Sequence, residues 1–243
     1  MGNKKTCVMK VSYDGSMFYG YAKQNNLKTI QATLEEHLSN IYQTDISIHS
    51  SGRTDKHVHA IDQTIHYRTK VDRDLDVVRN YLNKKLEGIY IKKLFHADDS
   101  FHSRFSIKNK TYTYLINCGD FDVFKEKYEL QYCQDLNIEK LKEIINLFVG
   151  EKDFKSFTTS EAHNTVRKVN YIKIYKANKK IMIVINGDGF LRYMVRMIVG
   201  TMIEYCESKK SYKDIEYLFD NPKKGSCISK ARGCGLYLTK TNY

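Results

Sequence analysis

Proline is nearly missing from this chain: Pro222 stands alone among 243 residues. Pro-rich spacers are therefore excluded, and no Gly/Ser tract or low-complexity run divides the sequence either. One compact unit is expected, with any division lying inside a shared core. No stretch approaches the roughly 18 consecutive apolar residues of a membrane-spanning helix. The opening segment MGNKKTCVMKVSYDG carries charge but no apolar core, so it does not read as a secretory signal. Gly2 with Thr6 matches a myristoylation pattern only weakly, and strand-like alternation begins at Cys7. The six cysteines (Cys7, Cys118, Cys133, Cys206, Cys227 and Cys234) are scattered and form no C-x-x-C pair. That spacing suits neither a zinc site nor a disulfide framework. A reduced, soluble, cytoplasmic protein is expected.

What is present points to a folded, basic protein. Hydrophobic residues make up 42% and aromatics 12%, enough to bury a core and to exclude wholesale disorder. Forty Lys and Arg against 28 Asp and Glu give a net charge of +12. Such an excess favours a polyanionic partner, because each neutralised phosphate releases condensed counterions. The plainer explanation is a solvated lysine-rich surface; an anionic membrane is the weaker of the functional readings. Most of the 19 tyrosines and 11 phenylalanines belong to the core, leaving a few to stack on bases.

Periodicity predicts alternating strands and helices. Cys7–Tyr13 alternates as a strand and ends in the turn Asp14-Gly15. Ile30, Leu34, Leu38 and Ile41 fall at helical spacing behind Thr29 as N-cap. A short strand at Ile46–His49 leads into SSGRTDKHVHA, and Ile61, Ile65 and Tyr67 continue as a strand. Leu75, Val78, Leu82 and Leu86 mark a helix, and Ile89–Phe95 and Thr111–Ile116 two further strands. In the second half a helix is expected over 138–148, strands around Tyr171–Tyr175 and Ile181–Ile185, and a long helix from Phe190. That helix should bury Tyr193, Met194, Met197, Ile198 and Met202 as packing, with no ligand stripe. The class is α+β, with a central antiparallel or mixed sheet. A boundary in the polar stretch after Asn117 would divide the chain into 1–118 and 119–243.

Chemistry concentrates in Gly52-Arg53-Thr54-Asp55-Lys56-His57-Val58-His59-Ala60. In an extended segment residues two apart share a side, so Arg53 and Asp55 would face one another. A guanidinium there would keep the carboxylate ionised and oriented. Taken alone, an R-x-D pair is more often an incidental surface contact.

This loop resembles the catalytic signature G-R-T-D-A-G-V-H-A of the tRNA pseudouridine synthase A (TruA) family. Other motifs follow in the family's order. Tyr13-Asp14-Gly15-Ser16-Met17-Phe18-Tyr19-Gly20-Tyr21, with Gln24, resembles its opening Y-D-G-x-x-F/Y-x-G-W/F. Phe101-His102-Ser103-Arg104-Phe105 resembles F-H-A-R-F, and Lys110-Thr111-Tyr112-Thr113-Tyr114 follows at the family's spacing. Asp153-Phe154-Lys155-Ser156-Phe157 resembles D-F-x-S-F, and residues 189–200 resemble G/N-x-F-L-x-x-M-V-R-x-I-V-G. Gly235-Leu236-Tyr237-Leu238 resembles the closing G-L-Y-L.

The resemblance implies the pseudouridine synthase fold, two similar halves sharing one extended sheet. It implies Asp55 as the catalytic carboxylate, Arg53 as the arginine that pairs with it and helps displace the target base, and Tyr112 as the residue stacking on uracil. Leu236 would line the uracil pocket, Arg196 would lie near the aspartate in a buried ion pair, and Arg104 and His59 would serve substrate binding, His59 by supporting the loop. The implied substrate is the anticodon stem-loop of tRNA at uridines 38, 39 and 40, and the implied assembly a homodimer. Because the isomerisation imports no group and changes no oxidation state, it calls for no cofactor and no metal. Two departures stand out: Lys56-His57 replaces Ala-Gly, which matters if the backbone there needs a positive φ, and Tyr21 replaces Trp or Phe.

Competing readings are a catalytically inactive RNA-binding module of the same fold and a nonspecific basic scaffold, the latter leaving the ordered motifs unexplained. His57-x-His59 lacks the further ligands of a metal site. Asp98-Asp99 reads as a surface turn, since neighbours on a strand point to opposite sides. Lys108-Asn109-Lys110 reads either as a solvated edge or, by a small margin the better reading, as a phosphate contact beside Tyr112.

Overall fold

The computed structural model describes residues 4–243; Gly2 lies outside the described residues. Along the chain run β1 (Lys5–Tyr13), a 3-10 turn (Gly15–Met17), α1 (Ile30–Tyr42), β2 (Ile48–Ser50), β3 (His59–Thr69), α2 (Leu75–Lys85) and β4 (Ile89–Ala97). Next come β5 (Asn109–Asn117), β6 (Leu130–Gln131), α3 (Ile138–Glu143), α4 (Ile145–Phe148), β7 (Gly150–Asp153), β8 (Val166–Ala177) and β9 (Lys180–Gly187). The chain closes with α5 (Met194–Cys206), α6 (Tyr212–Asp220) and β10 (Leu236–Asn242). The expected α+β class holds.

Two compact units emerge among the described residues, 4–108 with 238–243, and 109–237. The break falls before Asn109, ahead of the boundary expected after residue 118. The reason is pairing: β5 is antiparallel to β9 over its whole length, from Lys110↔Gly187 to Asn117↔Lys180, so the Tyr112 strand folds with the second half. The last residues return to the first unit. There Thr241 donates its N–H to Asp62 Oδ2 at 3.1 Å and meets Thr64 Oγ1 at 2.7 Å, while Lys10 Nζ reaches the same carboxylate at 3.1 Å.

In the first unit the strand order is β4-β1-β3-β10, with β2 on β3. Helix α1 begins where Thr29 Oγ1 accepts the N–H of Ala32, and buries Ile30, Leu34, Leu38 and Tyr42. Tyr42, four residues beyond Leu38, takes the core position expected of Ile41 and hydrogen-bonds the Tyr67 hydroxyl at 2.9 Å. Helix α2 starts at Asp74, whose carboxylate caps the N–H groups of Asp76 and Val77.

In the second unit the order is β5-β9-β8-β7, with β6 parallel to β5. The helix expected over 138–148 is broken at Ile144, which takes φ −95° and ψ 0°; Leu147 N–H then closes a tighter turn onto Ile144 O at 3.1 Å. The D-F-x-S-F motif proves to be packing. Phe154 and Phe157 are fully buried against Phe148 and Phe219, and Ser156 Oγ donates to Leu218 O at 2.7 Å. Helix α5 starts at Met194, later than the Phe190 expected, because Tyr193 stands in the left-handed region at φ 66° and ends the helical run there. Tyr193 is half-buried, while Met194, Met197, Ile198 and Met202 are in the core as expected.

Candidate active site

The loop between β2 and β3 carries Arg53 and Asp55, and polar contacts hold it at both ends. Ser51 N–H donates to Thr64 O at 2.8 Å, and Gln63 Nε2 donates to Gly52 O at 2.7 Å. Inside the loop the Thr54 hydroxyl meets the Tyr13 hydroxyl at 2.8 Å, and Thr54 O accepts Tyr21 N–H at 3.0 Å. Val58 N–H closes a turn onto Asp55 O at 3.1 Å. Asp55 is thus a half-buried residue on a backbone fixed on either side of it.

The first motif is the cradle for this loop. A Cβ on Gly15 would come 2.1 Å from Val58 O, a contact only glycine allows. Gly20, at φ +95°, lies so close that a Cβ would sit 3.2 Å from Thr54 O and Lys56 N. Gly15 N–H donates to His59 Nδ1 at 3.1 Å, and Asp14 Oδ1 is 3.2 Å from the same nitrogen. His59 is 2% exposed. It therefore ties the loop's exit to the 3-10 turn, and its burial takes it out of direct reach of a substrate.

Of the two departures from the resembled pattern, Lys56-His57 has a structural answer. His57 adopts φ 65°, the left-handed backbone that a glycine takes without strain. Histidine is among the residues that tolerate this region. The Lys56 ammonium sits 4.2 Å over the Tyr19 ring. Tyr21 is buried, and its hydroxyl, a group the expected Trp or Phe would not carry, has no hydrogen-bond partner among the described residues. Burial pushes that phenol well above its ordinary range.

Arg53 is exposed and makes no ion pair with Asp55. The pair expected from their spacing fails because residues 52–55 form a loop, with no strand pleat to set both side chains on one side. Arg104 lies in a separate turn of the same unit, exposed, its guanidinium 5.8 Å over the Phe105 ring. Its neighbour Ser103 is buried. Ser103 N–H donates to His66 Nδ1 at 3.2 Å, and its hydroxyl donates to His49 O at 2.8 Å. His49, His66 and His102 form a ring cluster with centroids 4.6–5.6 Å apart, which sequence reading missed because its members lie on three segments. Burial, with His102, His49 and Arg68 nearby, lowers His66 to about 4.

The remaining expected residues belong to the second unit. Tyr112 is buried on β5 opposite Ile185, its ring edge-on to Phe190 at 5.2 Å. Asn186 braces the start of that strand, its Nδ2 lying 2.9 Å from Thr111 Oγ1 and 3.1 Å from Lys110 O. Nothing in the sequence singled out Asn186. Lys110, expected beside Tyr112 as a phosphate contact, is 9% exposed. Arg196, on α5, donates Nε–H to Ala231 O at 2.8 Å and accepts Ala231 N–H at 3.0 Å. Leu236 is 4% exposed at the start of β10. Before it, Gly235 packs so closely that a Cβ would be 2.7 Å from Leu115 O. Among the described residues no group of three or more His, Cys, Asp or Glu could hold a metal ion, and no helix is long and apolar enough to cross a membrane.

Residues 9–106 and 144–243 match the family described as tRNA pseudouridine synthase. The chain belongs to that family. A tRNA pseudouridine synthase A of Malacoplasma penetrans is 55% identical over 240 residues, covering 98% of this chain and all of the relative. The Mycoplasma genitalium protein of the same name is 43% identical, covering 96% of each chain. One from Thermodesulfovibrio yellowstonii is 36% identical, covering 97% of this chain and 98% of its own. The family that the motifs resemble is thus the family that matches, and its members are isomerases.

Proposed function

We propose that this protein converts uridine to pseudouridine in the anticodon stem-loop of tRNA, at positions 38–40, with Asp55 as the catalytic carboxylate. The observation that carries the reading is the fixed backbone around Asp55: Thr54 O bonded to Tyr21, Asp55 O bonded to Val58, and Gly15 and Gly20 packed beneath. A nucleophile or base must be held to a fraction of an ångström to work, and a loop tied this closely meets that demand.

In the reaction the bond from ribose C1′ to N1 breaks, the uracil turns, and C1′ joins C5. The C5 hydrogen departs as a proton and N1 gains one, so atoms and charge balance without an added group. The carboxylate of Asp55 acts as nucleophile or base against the sugar or ring. Tyr112 stacks on the uracil, Leu236 lines its pocket, and Arg53, exposed beside Asp55, displaces the target base from the helix. Arg196 and Arg104 engage the substrate, and two copies of the chain act together as a homodimer in the cytoplasm. The net charge of +12 supports a tRNA partner.

Tritium release from tRNA labelled at C5 of uridine tests the assignment. The intact protein should release label, and Asp55→Ala should release none while still binding tRNA. Binding without release by the intact protein would instead identify an inactive RNA-binding module.

A further inference from the structure

Three cations converge on one tyrosine in the second unit. Around the Tyr193 ring lie Lys230 Nζ at 4.4 Å, the Arg192 guanidinium at 4.8 Å and the Arg196 guanidinium at 5.4 Å. Arg192 also donates to the Tyr193 hydroxyl at 2.9 Å. Each cation has its own anchor. Arg192 O accepts the Thr158 hydroxyl at 2.9 Å. Arg196 projects from the first turn of α5, bonded in both directions to Ala231. The Lys230 backbone is pressed on α5 at Gly200, where a Cβ would be 2.9 Å from Lys230 N.

Gathering like charges is unfavourable unless something opposite joins them. Neither Arg192 nor Lys230 has a carboxylate within 4.0 Å among the described residues, and the first turn of α5 contains no acidic residue. The ring compensates in part, since cations favour its face. Tyr193 does so from a left-handed backbone, an unusual conformation for an aromatic residue, and it gives the helix no side-chain cap. The half-buried ring thus holds long basic side chains in place before any ligand arrives, while Arg192 and Lys230 remain exposed to solvent.

We propose that Arg192, Tyr193 and Lys230 form a preorganised phosphate-binding site that grips the backbone of an RNA strand. Arg192 and Lys230 supply the charge, Tyr193 fixes where they stand, and the partial positive charge at the start of α5 adds to both. The identity of the RNA as tRNA rests on the function proposed above; the site itself rests on the cluster.

The test is equilibrium binding of tRNA across a salt series, run beside the tritium-release assay. Arg192→Ala and Lys230→Ala should each weaken binding about three- to tenfold near physiological salt. Each should also lower the slope of log K against log salt by about 1. Turnover at saturating tRNA should stay within about twofold of the intact protein, because these residues position the backbone and touch no reacting atom. Arg192→Lys and Lys230→Arg should retain most of the affinity. Unchanged affinity and slope in both alanine variants would overturn the site, and so would equal losses in the charge-retaining variants. An intact protein that releases no tritium but shows the slope change would keep the site and remove the proposed activity. An active protein with unmoved slopes would do the reverse.

Discussion

His66 has its Nδ1 occupied as an acceptor by the N–H of Ser103, with two other histidine rings and Arg68 close by. Protonating it would turn that nitrogen against a backbone donor in a site only 2% exposed. The folded state therefore holds His66 neutral down to about 4, while the unfolded chain takes up a proton near 6.5. Its neutral form contributes stability fully above 6.5, and that contribution is lost as pH falls from 6.5 towards 4. At pH 5 the loss amounts to about 2 kcal/mol. His66→Gln keeps an acceptor for Ser103 and does not titrate, so between pH 7 and pH 5 it should lose about 2 kcal/mol less than the intact protein. Urea midpoints at the two pH values measure this, and equal losses would refute the assignment. The same scale shows how much of the site could be read in advance. A positive φ at residue 57 was legible only as a condition, because a glycine in the resembled motif raises that backbone demand without settling it. The Arg53–Asp55 contact and the histidine cluster were not, because side-chain direction in a loop and meetings across segments depend on the folded path.

At the scale of elements, the strand-turn-strand unit around Asp55 depends on two glycines that carry no chemistry. Gly15 lies against the carbonyl of Val58, so Gly15→Ala forces backbone apart and cannot be relieved by a rotamer change. We expect a loss of about 3 kcal/mol in stability and at least tenfold in tritium release, since the displaced segment carries Asp55. Thermal melting and the release assay check both; an alanine variant that melts normally and works normally would show that the cradle is looser than it looks. Element type was readable from apolar periodicity and caps, as at Thr29 and α1 or Asp74 and α2. Element ends were less so. The break at Ile144 and the late start of α5 at Met194 follow from single backbone conformations that composition does not signal.

For the whole molecule, a charge of +12 on 243 residues makes long-range attraction to RNA the first event of recognition. A basic surface reads phosphate geometry and shape ahead of base identity. Swapping bases around the target uridine should then weaken tRNA binding by less than about tenfold, while reshaping the tRNA elbow should weaken it more. Equal losses in a filter-binding assay would refute reading by shape. Residues 238–243 show what the chain's linear order hides. They fold with the first unit although they follow the second, because Thr241 completes the contacts of Asp62 and Thr64. By itself the sequence determined the α+β class, the family and the core faces of most helices, since each is written in residue type and short-range spacing. Only the tertiary structure decided that β5 joins the second unit, that His59 is buried, that the D-F-x-S-F motif is core, and that Lys230 joins Arg192 and Arg196 at the Tyr193 ring. Those outcomes depend on strand pairing and on packing between segments far apart in the chain, where spacing along the sequence carries no information about distance.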